Sequence, residues 1–353
     1  MELHQSWGGS DRCGGAALRN PFVDGVRFVA VVGVVLGHWL VTAFVQGGDG
    51  LSVDSPLRWM PGLVPLTWVL QTLGLFFFVG GFASARSETP WWVRLRQLVV
   101  PVVVLLGCWV LVFAGLAVRG ISQQTVMAVG YIVTTPLWFL GVYVVLLALR
   151  PVVRWLDQYS WGVLVPVVLV FFVPYAVWWA AWQLGYALAR KRIPGPPLLV
   201  GGVVAYLLLV RFGGFPVSAV GIPGAALSNL SPPTFAALAL AFAQIGLVLT
   251  IAPVLTRLGE SSTSRWVNAR ALPIFLVHQS ALVAVSLLVR APGLSSPPDH
   301  PGWVWQRLAW LPVFALVAWG CLPAARWRSW RRAAPRSVPS APAPAAAERT
   351  PVP

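Results

Sequence analysis

The sequence predicts an all-α, polytopic membrane helix bundle of about ten spans, with both termini in the cytoplasm. Of the 353 residues, 58% are hydrophobic and only 10% are charged, and the mean hydropathy of +0.75 is far above that of a soluble domain. Apolar runs as long as a bilayer requires recur along the chain. Most of the 25 Lys and Arg residues fall between these runs on one predicted side, which is the pattern that sets topology.

The apolar runs that are long enough for one span come first in the assignment. They lie at 21–45, 62–85, 98–118, 126–149, 233–256, 271–290 and 303–323. A shorter run covers 198–212, whereas the stretch 155–189 is too long for one span and short for two. Arg154 and Arg190 flank that stretch on the predicted cytoplasmic side, so the chain between them crosses an even number of times. Two short, tilted helices turning near Pro174 satisfy this, and so does a re-entrant hairpin buried in protein.

The segments outside the bundle have a different composition. Residues 1–20 are polar and Gly-rich without an apolar core and cleavage site, which predicts a cytoplasmic segment and not a signal peptide. The membrane domain covers 21–325. Residues 326–353 are first basic and then rich in Pro and Ala, which predicts a disordered cytoplasmic tail.

The composition also excludes several classes of protein. The net charge of +15 does not indicate nucleic-acid binding, because the basic residues do not cluster on one face among aromatic residues. Cys13, Cys108 and Cys321 are far apart in the chain and form neither a disulfide framework nor a metal-binding spacing. None of the ten acidic residues lies in the middle of a span. This weighs against ion-coupled transport and against glycoside chemistry with paired carboxylates.

The first apolar run carries an arginine and a histidine. Arg27 and His38 are eleven residues apart, so on a helix they lie within about 20° of one face and about 16 Å apart along the axis. An ionisable residue in a span is by default a hypothesis of a functional site. Other interpretations stay open, because Arg27 could snorkel to the headgroups and His38 could merely bond a neighbouring helix. His278, in a later span, is equally open to a structural hydrogen bond or to lining the site.

The stretch from Phe22 to Ala30 contains Asp24-Gly25-Val26-Arg27 and is followed by His38. Together they resemble the first-helix signature "LDGLRxxA", followed by His, of the acyltransferase 3 family of integral membrane acyltransferases. The weaker matches are Phe76–Phe82 ("FFxxSGF"), Arg94-Leu95-Arg96 with Pro101 ("RxxRLxxP"), Leu137–Leu140 ("LWFL"), Ile274–His278 (hydrophobic-His) and Ser228–Thr234 ("SNxxPPT"). Two departures are that Gly80 replaces the usual Ser and that 155–189 looks shorter than in relatives.

The resemblance implies that the 21–325 domain transfers an acyl group from cytoplasmic acyl-CoA, for example acetyl-CoA, to a hydroxyl group. The acceptor would be a carbohydrate or another cell-envelope or secondary-metabolite compound, often at the outer face of the cell membrane. Acyl-CoA would be a co-substrate, with no permanently bound cofactor and no metal. The lipid bilayer and these two substrates are the expected partners, with no nucleic acid.

The same resemblance suggests roles for individual residues. Arg27 would hold a phosphate or the thioester oxygen of the donor. His38 would deprotonate the acceptor hydroxyl or would attack the donor itself and form an acyl-imidazole. Arg94 and Arg96 would bind the nucleotide phosphates, unless they only set topology. The other candidates to line the site are Asp24, Trp138 and His278, although Trp138 could simply pack in the bundle.

Two other functions stay open from the sequence. One is a transporter or flippase that moves a glycan or a lipid-linked precursor without catalysis, although the halves of the chain show no matched pair of broken spans. The other is an inactive relative that acts as a membrane interaction partner, which the Gly80 substitution and the short 155–189 region would allow.

Overall fold

The structure, a computed structural model, describes residues 19–289 and 296–322. The predicted segment 1–20 lies almost entirely outside the described residues, and the predicted tail 326–353 lies wholly outside them. Within the described part the chain is mostly helical, with one two-stranded hairpin. The prediction of an all-α membrane bundle is confirmed.

The helices follow one another with short connections. They are α1 (Pro21–Val41), α2 (Pro56–Trp59), α3 (Thr67–Leu70), α4 (Leu73–Ala85), α5 (Trp91–Val118), α6 (Gln123–Thr134), α7 (Trp138–Ala148), α8 (Arg150–Leu156), α9 (Leu164–Leu169), α10 (Ala176–Leu188), α11 (Gly195–Phe212), α12 (Phe235–Thr250), α13 (Ala252–Glu260), α14 (Ser262–Ala269), α15 (Ala271–Leu288) and α16 (Trp303–Cys321). Short 3₁₀ helices, Pro61–Leu66 and Thr135–Leu137, precede α3 and α7.

The described residues contain seven helices that are long and apolar enough to cross a membrane. They are α1, Pro61–Ala85, α5, Gln123–Ala148, α11, α15 and α16. An eighth would be α12 and α13 together, but these two helices are bent by 76°. The predicted total of ten is not confirmed. The position of the two termini stays a prediction.

The bend after α12 differs from the single run predicted at 233–256. Helix α12 ends at Thr250, and α13 starts again at Ala252 with Pro253 in its first turn. A proline cannot donate the hydrogen bond that would continue the previous helix, whereas it is well tolerated in a first turn. The bend directs α13 against α1, where Gly259 and Gly25 allow close approach of the two backbones.

The ambiguous stretch 155–189 folds as a hairpin of two short helices. Helix α9 has six residues and α10 has 13, so by the rise per residue neither reaches across a hydrocarbon core of about 30 Å. The chain reverses at 170–175, around the predicted Pro174. The two ends of the stretch meet, because the buried Asp157 pairs with Arg190 at 2.5 Å and with Lys191 at 3.6 Å.

Helix α10 is the most buried part of this hairpin. Trp178 and Trp182 are fully buried. The helix packs closely on α4, since a Cβ at Gly185 would clash with the carbonyl of Phe78 and one at Gly81 with the carbonyl of Trp182. Small residues at such contacts are typical of membrane helix packing. In contrast, α5 has no fully buried residue, and many of its apolar side chains are exposed.

A short hairpin follows α1 and was not predicted from the sequence. Strands β1 (Ala43–Gly47) and β2 (Gly50–Asp54) pair antiparallel, with Ala43 opposite Asp54 and Gly47 opposite Gly50. The connection is the dipeptide Gly48-Asp49, and Gly50 has a φ of 134°, which favours glycine. The hairpin ends the first predicted run, 21–45, at Val41.

The "SNxxPPT"-like segment shapes the loop between α11 and α12. The buried amide of Asn229 donates to the carbonyls of Pro216 (2.7 Å) and Ser218 (2.8 Å). Its Oδ1 accepts a hydrogen bond of 2.7 Å from Thr234, and the Thr234 side chain caps α12. The Asn and Thr of this segment therefore have a structural role.

Candidate active site

The start of α1 is fixed by its sequence. The side chain of Asn20 caps the helix by accepting from Val23 N at 3.2 Å, and Pro21 fits the first helical position. Gly25 is required for packing, because a Cβ there would clash with the carbonyl of Leu255 on α13. The motif Asp-Gly-Val-Arg thus places a close helix contact two residues before Arg27.

Asp24 is 8% exposed and ties the start of α1 together. Its carboxylate pairs with Arg19 and lies 3.4 Å from Arg27 Nη1. Its backbone carbonyl accepts a hydrogen bond of 2.8 Å from Asn268 on α14. A carboxylate in the first turn also interacts favourably with the helix dipole. Asp24 therefore holds Arg27 in place and anchors α1.

Arg27 is partly buried, with 32% of its side chain exposed. The 3.4 Å contact with Asp24 engages one Nη atom at long range, so other N–H groups of the guanidinium can donate to a ligand. Because α1 runs unbroken from Pro21 to Val41, Arg27 and His38 do share a helix, about 16 Å apart along it.

The structure brings His38 together with His278 on α15. Their ring centroids are 5.2 Å apart, with the rings tilted by 45°. His38 is partly exposed, whereas His278 is fully buried. A partly accessible imidazole next to a buried one is an arrangement in which one small group can contact both rings.

The hydrogen bonds of His278 define its proton position. Its Nδ1 lies 2.6 Å from the carbonyl oxygen of Phe275, which can only accept, so Nδ1 carries the proton in the neutral ring. Nε2 is then an acceptor, and it is buried without a partner among the described residues. A buried acceptor of this kind needs a partner, which a substrate hydroxyl could supply.

Aromatic side chains form one wall beside this pair. The Phe275 ring lies 5.4 Å from that of His278 and 4.4 Å from that of Phe139 on α7. Phe76 on α4 contacts both phenylalanines, at 6.3 Å and 5.4 Å. The "FFxxSGF"-like and "LWFL"-like segments therefore meet the hydrophobic-His element at one apolar surface.

Trp138 was a candidate for the site wall and is partly buried against the hairpin of α9 and α10. Its ring contacts those of Trp178, at 6.1 Å, and Tyr175, at 5.8 Å. Both partners belong to the hairpin of α9 and α10, and Trp138 packs against the main core. These contacts are with packing residues and not with either histidine.

Arg94 and Arg96 face different ways on α5. Arg94 is partly buried and donates to the carbonyl of Ala83 at 3.4 Å, whereas Arg96 is exposed. Of the two predicted donor-binding residues, Arg94 is therefore the one that faces the protein interior.

Gly80 lies against two aromatic rings. A Cβ at this position would be 2.6 Å from Trp182 Cζ3 and 2.9 Å from Tyr143 Cε2. The rings of Tyr143 and Trp182 are themselves in edge contact at 5.0 Å. The space that a serine would occupy here is filled by aromatic carbon.

One residue beside the site was missed in the sequence. Trp39, next to His38, donates from Nε1 to the carbonyl of His278 at 3.0 Å. Its partner is far away in sequence, so this role could not be inferred from one chain segment.

Metal ligands do not cluster in the part of the chain that the structure describes. It contains no group of three or more His, Cys, Asp or Glu side chains able to hold an ion. The free thiols of Cys108 and Cys321 lie at an exposed and a partly exposed position.

Comparison with known proteins gives one match. The sequence model of a family described as an acyltransferase domain, acyltransferase 3, matches residues 20–326, nearly the whole chain. No curated protein and no solved structure matches.

Proposed function

The chain belongs to the acyltransferase 3 family of membrane acyltransferases, and on that premise we propose that it transfers an acyl group from cytoplasmic acyl-CoA to a hydroxyl group. The acceptor is a carbohydrate or another small hydroxyl compound of the cell envelope. The observation that carries the proposal is the contact between His38 and His278, with 5.2 Å between ring centroids. Both histidines belong to segments that resemble the family's motifs.

His38 is the group that handles the proton in this proposal. In direct transfer, it takes the proton of the acceptor hydroxyl while the oxygen attacks the thioester carbonyl carbon. The C–O bond forms, the C–S bond breaks, and the leaving thiolate takes the proton back from the imidazolium. The partial exposure of His38 supports this role, because the ring can contact a substrate.

A covalent route uses the same atoms in two steps. The imidazole nitrogen of His38 attacks the thioester carbon, and the thiolate leaves with the ring proton. The acceptor oxygen then attacks the acyl-imidazole, the C–N bond breaks, and the hydroxyl proton returns to the ring. Acid-quenched mass spectrometry of the chain incubated with acyl-CoA alone distinguishes the routes, since only the covalent route leaves an acyl group on the protein.

His278 orients His38 and the acceptor. Its Nδ1–H is fixed by the carbonyl of Phe275, so its Nε2 has a lone pair without a partner among the described residues. That nitrogen can accept from the acceptor hydroxyl or from His38. A second imidazole in the neutral form costs less to bury than a charged partner would.

Arg27 holds the donor in the proposed arrangement. The distance from Arg27 to His38, about 16 Å along α1, suits a donor whose long flexible arm separates its phosphates from its thioester. The guanidinium donates charge-assisted hydrogen bonds to phosphate oxygens at one end, which leaves the thioester at the other end, beside the histidines. Asp24 keeps Arg27 in position and does not touch the reacting atoms.

The test is acyl transfer by the purified full chain in nanodiscs, with labelled acyl-CoA donors from acetyl to palmitoyl and a membrane extract as acceptor. We expect a labelled product with an ester linkage that hydroxylamine cleaves. His38→Ala should abolish the label, whereas His300→Ala, at an exposed histidine before α16, should not. If neither transfer nor acyl-CoA binding is found in the parent chain, the proposal is wrong.

A further inference from the structure

A cavity lies away from the histidines, where α5 begins and α7 passes into α8. Its volume is about 440 Å³, within the range of about 300 to 1,000 Å³ that is typical of small-molecule sites. The side chains that give it chemical character are Trp91, Trp92, Arg150, Arg154, Trp155 and Gln158. This cavity belongs to the end of the bundle that is predicted to face the cytoplasm.

The lining of the cavity is positively charged. Two guanidinium groups, Arg150 and Arg154, line it, and no carboxylate does. Asp157, which precedes the lining residue Gln158, is buried and paired with Arg190 and Lys191. Arg150 donates from Nη2 to the carbonyl of Ser87, which fixes its direction. Such a site favours a ligand with phosphate groups.

The same cavity offers flat apolar surfaces. Trp91, Trp92 and Trp155 are 44%, 59% and 51% exposed, so their indole faces are available to a ligand. Indole rings beside guanidinium groups suit a molecule that combines an aromatic base with phosphates, because the base stacks and the phosphates bind arginine. Interfacial tryptophans beside arginines would equally suit an anionic lipid headgroup.

The surroundings of the cavity favour the nucleotide. Arg94 lies one helical turn along α5 from the lining residue Trp91, is partly buried and donates to the carbonyl of Ala83 on α4. This basic side chain marks a path from the cavity into the bundle. A lipid headgroup needs no path into the bundle, whereas a donor whose nucleotide lies in the cavity and whose thioester lies beside the histidines does.

We infer that this cavity binds the purine nucleotide part of the acyl donor. The phosphate on the ribose lies on Arg150 and Arg154, the base stacks on the exposed indoles, and the phosphates toward the acyl arm stay with Arg27. The inference rests on the proposed function and adds the nucleotide subsite to it.

The experiment measures binding of adenosine 3′,5′-bisphosphate, which has the nucleotide but no thioester, to the full chain in phosphatidylcholine nanodiscs. Arg154→Gln should weaken binding by about 10- to 100-fold, the loss expected for one charge-assisted hydrogen bond. Arg257→Gln removes one exposed charge from α13 and should change the affinity by less than about twofold. Trp92→Leu tests the stacking separately and should weaken binding without removing charge.

Three other outcomes would contradict either the assignment of this cavity or the proposed function. If acyl transfer occurs but Arg154→Gln and Trp92→Leu leave both bisphosphate affinity and the KM for acyl-CoA unchanged, the cavity is not the nucleotide site and the proposed function stands. If bisphosphate fails to bind the parent chain but phosphatidylglycerol co-purifies with it and is lost in Arg154→Gln, the cavity is a lipid site. If the parent neither transfers acyl groups nor binds acyl-CoA, the proposed function fails as well.

Discussion

The indole N–H of Trp39 donates a hydrogen bond of 3.0 Å to the backbone carbonyl of His278. The residue next to one candidate catalytic histidine therefore holds the main chain of the other. Trp39 is 5% exposed and stacks on Phe314 of α16 at 5.4 Å, so its own position is fixed by a third helix. The spacing of the two histidines thus depends on the packing of α1, α15 and α16.

Trp39→Phe tests this positioning role. The substitution keeps a ring against Phe314 but removes the donor, and should lower stability by only about 1 kcal/mol. We expect kcat to fall about tenfold, equivalent to about 1.4 kcal/mol of activation free energy, with the KM for acyl-CoA unchanged. The control is Trp109→Phe, which removes a similar indole hydrogen bond to Ser280 of the same helix and should leave kcat near normal. Equal losses in both variants would assign Trp39 to general packing.

His278 is tested by substitutions that separate its two nitrogens. His278→Asn keeps a donor near Nδ1 for the carbonyl of Phe275 but lacks the Nε2 acceptor. We expect the Asn variant to fold normally and to lose acyl transfer, because the free acceptor is the functional group. His278→Ala removes both and leaves a cavity, which costs about 2 to 5 kcal/mol in a buried site. If the Asn variant retains full transfer, His278 has only a structural role.

The aromatic packing at Gly80 predicts the effect of restoring the family's usual serine. A Cβ there would lie 2.6 Å from the Trp182 ring, and overpacking of this kind typically costs about 1 to 3 kcal/mol. Gly80→Ser and Gly80→Ala should therefore lower the thermal midpoint in detergent to a similar extent. Gly141→Ala on α7, where nothing lies within 4 Å of the added Cβ, serves as the control. A stable and more active serine variant would show that the hydroxyl, and not the packing, matters here.

Hydrophobic runs predicted most of the helices. The runs at 271–290 and 303–323 correspond to α15 and α16 within a few residues, because a bilayer sets both length and composition. The run at 98–118 began too late, since α5 starts at Trp91 and includes Arg94 and Arg96 in its first turns. Hydropathy does not reveal such polar helix ends, nor the break at residues 71–72 that separates α3 from α4. The hairpin after α1 did have a signal, the Gly-Asp turn between two short strands.

The sequence predicted individual residues of the candidate site but not how they are arranged in space. The sequence singled out His38 and His278 because each is an imidazole in an apolar span. Their contact depends on how helices 240 positions apart in sequence pack, and a single sequence contains no information on that contact. For the same reason Asp24 was expected to line the site, whereas its visible contacts are those of an anchor for Arg27 and α14.

The predicted orientation of the chain is tested by reporter fusions. Because most Lys and Arg residues lie on one predicted side, fusions after Arg192 and after Arg332 should report the cytoplasm, and one near Gly48, in the hairpin turn, should report the outside. Because Asp157 forms an ion pair with Arg190, fusions after Gln158 and after Arg192 should report the same side of the membrane. A cytoplasmic signal at Gly48 would reverse the assignment of every helix.

Arg27 and His38 lie on one helix but have different proposed roles, so substitutions of the two residues should have different effects. His38→Ala should lower turnover at least 10²- to 10⁴-fold, which is typical of a lost general base, while acyl-CoA binding persists. Arg27→Ala should mainly weaken donor binding. Arg27→Lys should recover only part of it, because a point charge cannot reproduce the planar fork of a guanidinium.

The measurements are acyl-CoA affinity and single-turnover acyl transfer on the purified variants. Arg19→Ala is the matched control for Arg27, because Arg19 also pairs with Asp24 but lies before the helix. It should lower stability slightly without changing donor affinity, since the ion pair with Asp24 is half exposed. Near-normal transfer by His38→Ala would show that the catalytic assignment is wrong. Equal loss of binding in the His38 and Arg27 variants would instead indicate that both residues hold the donor and that another group carries the proton.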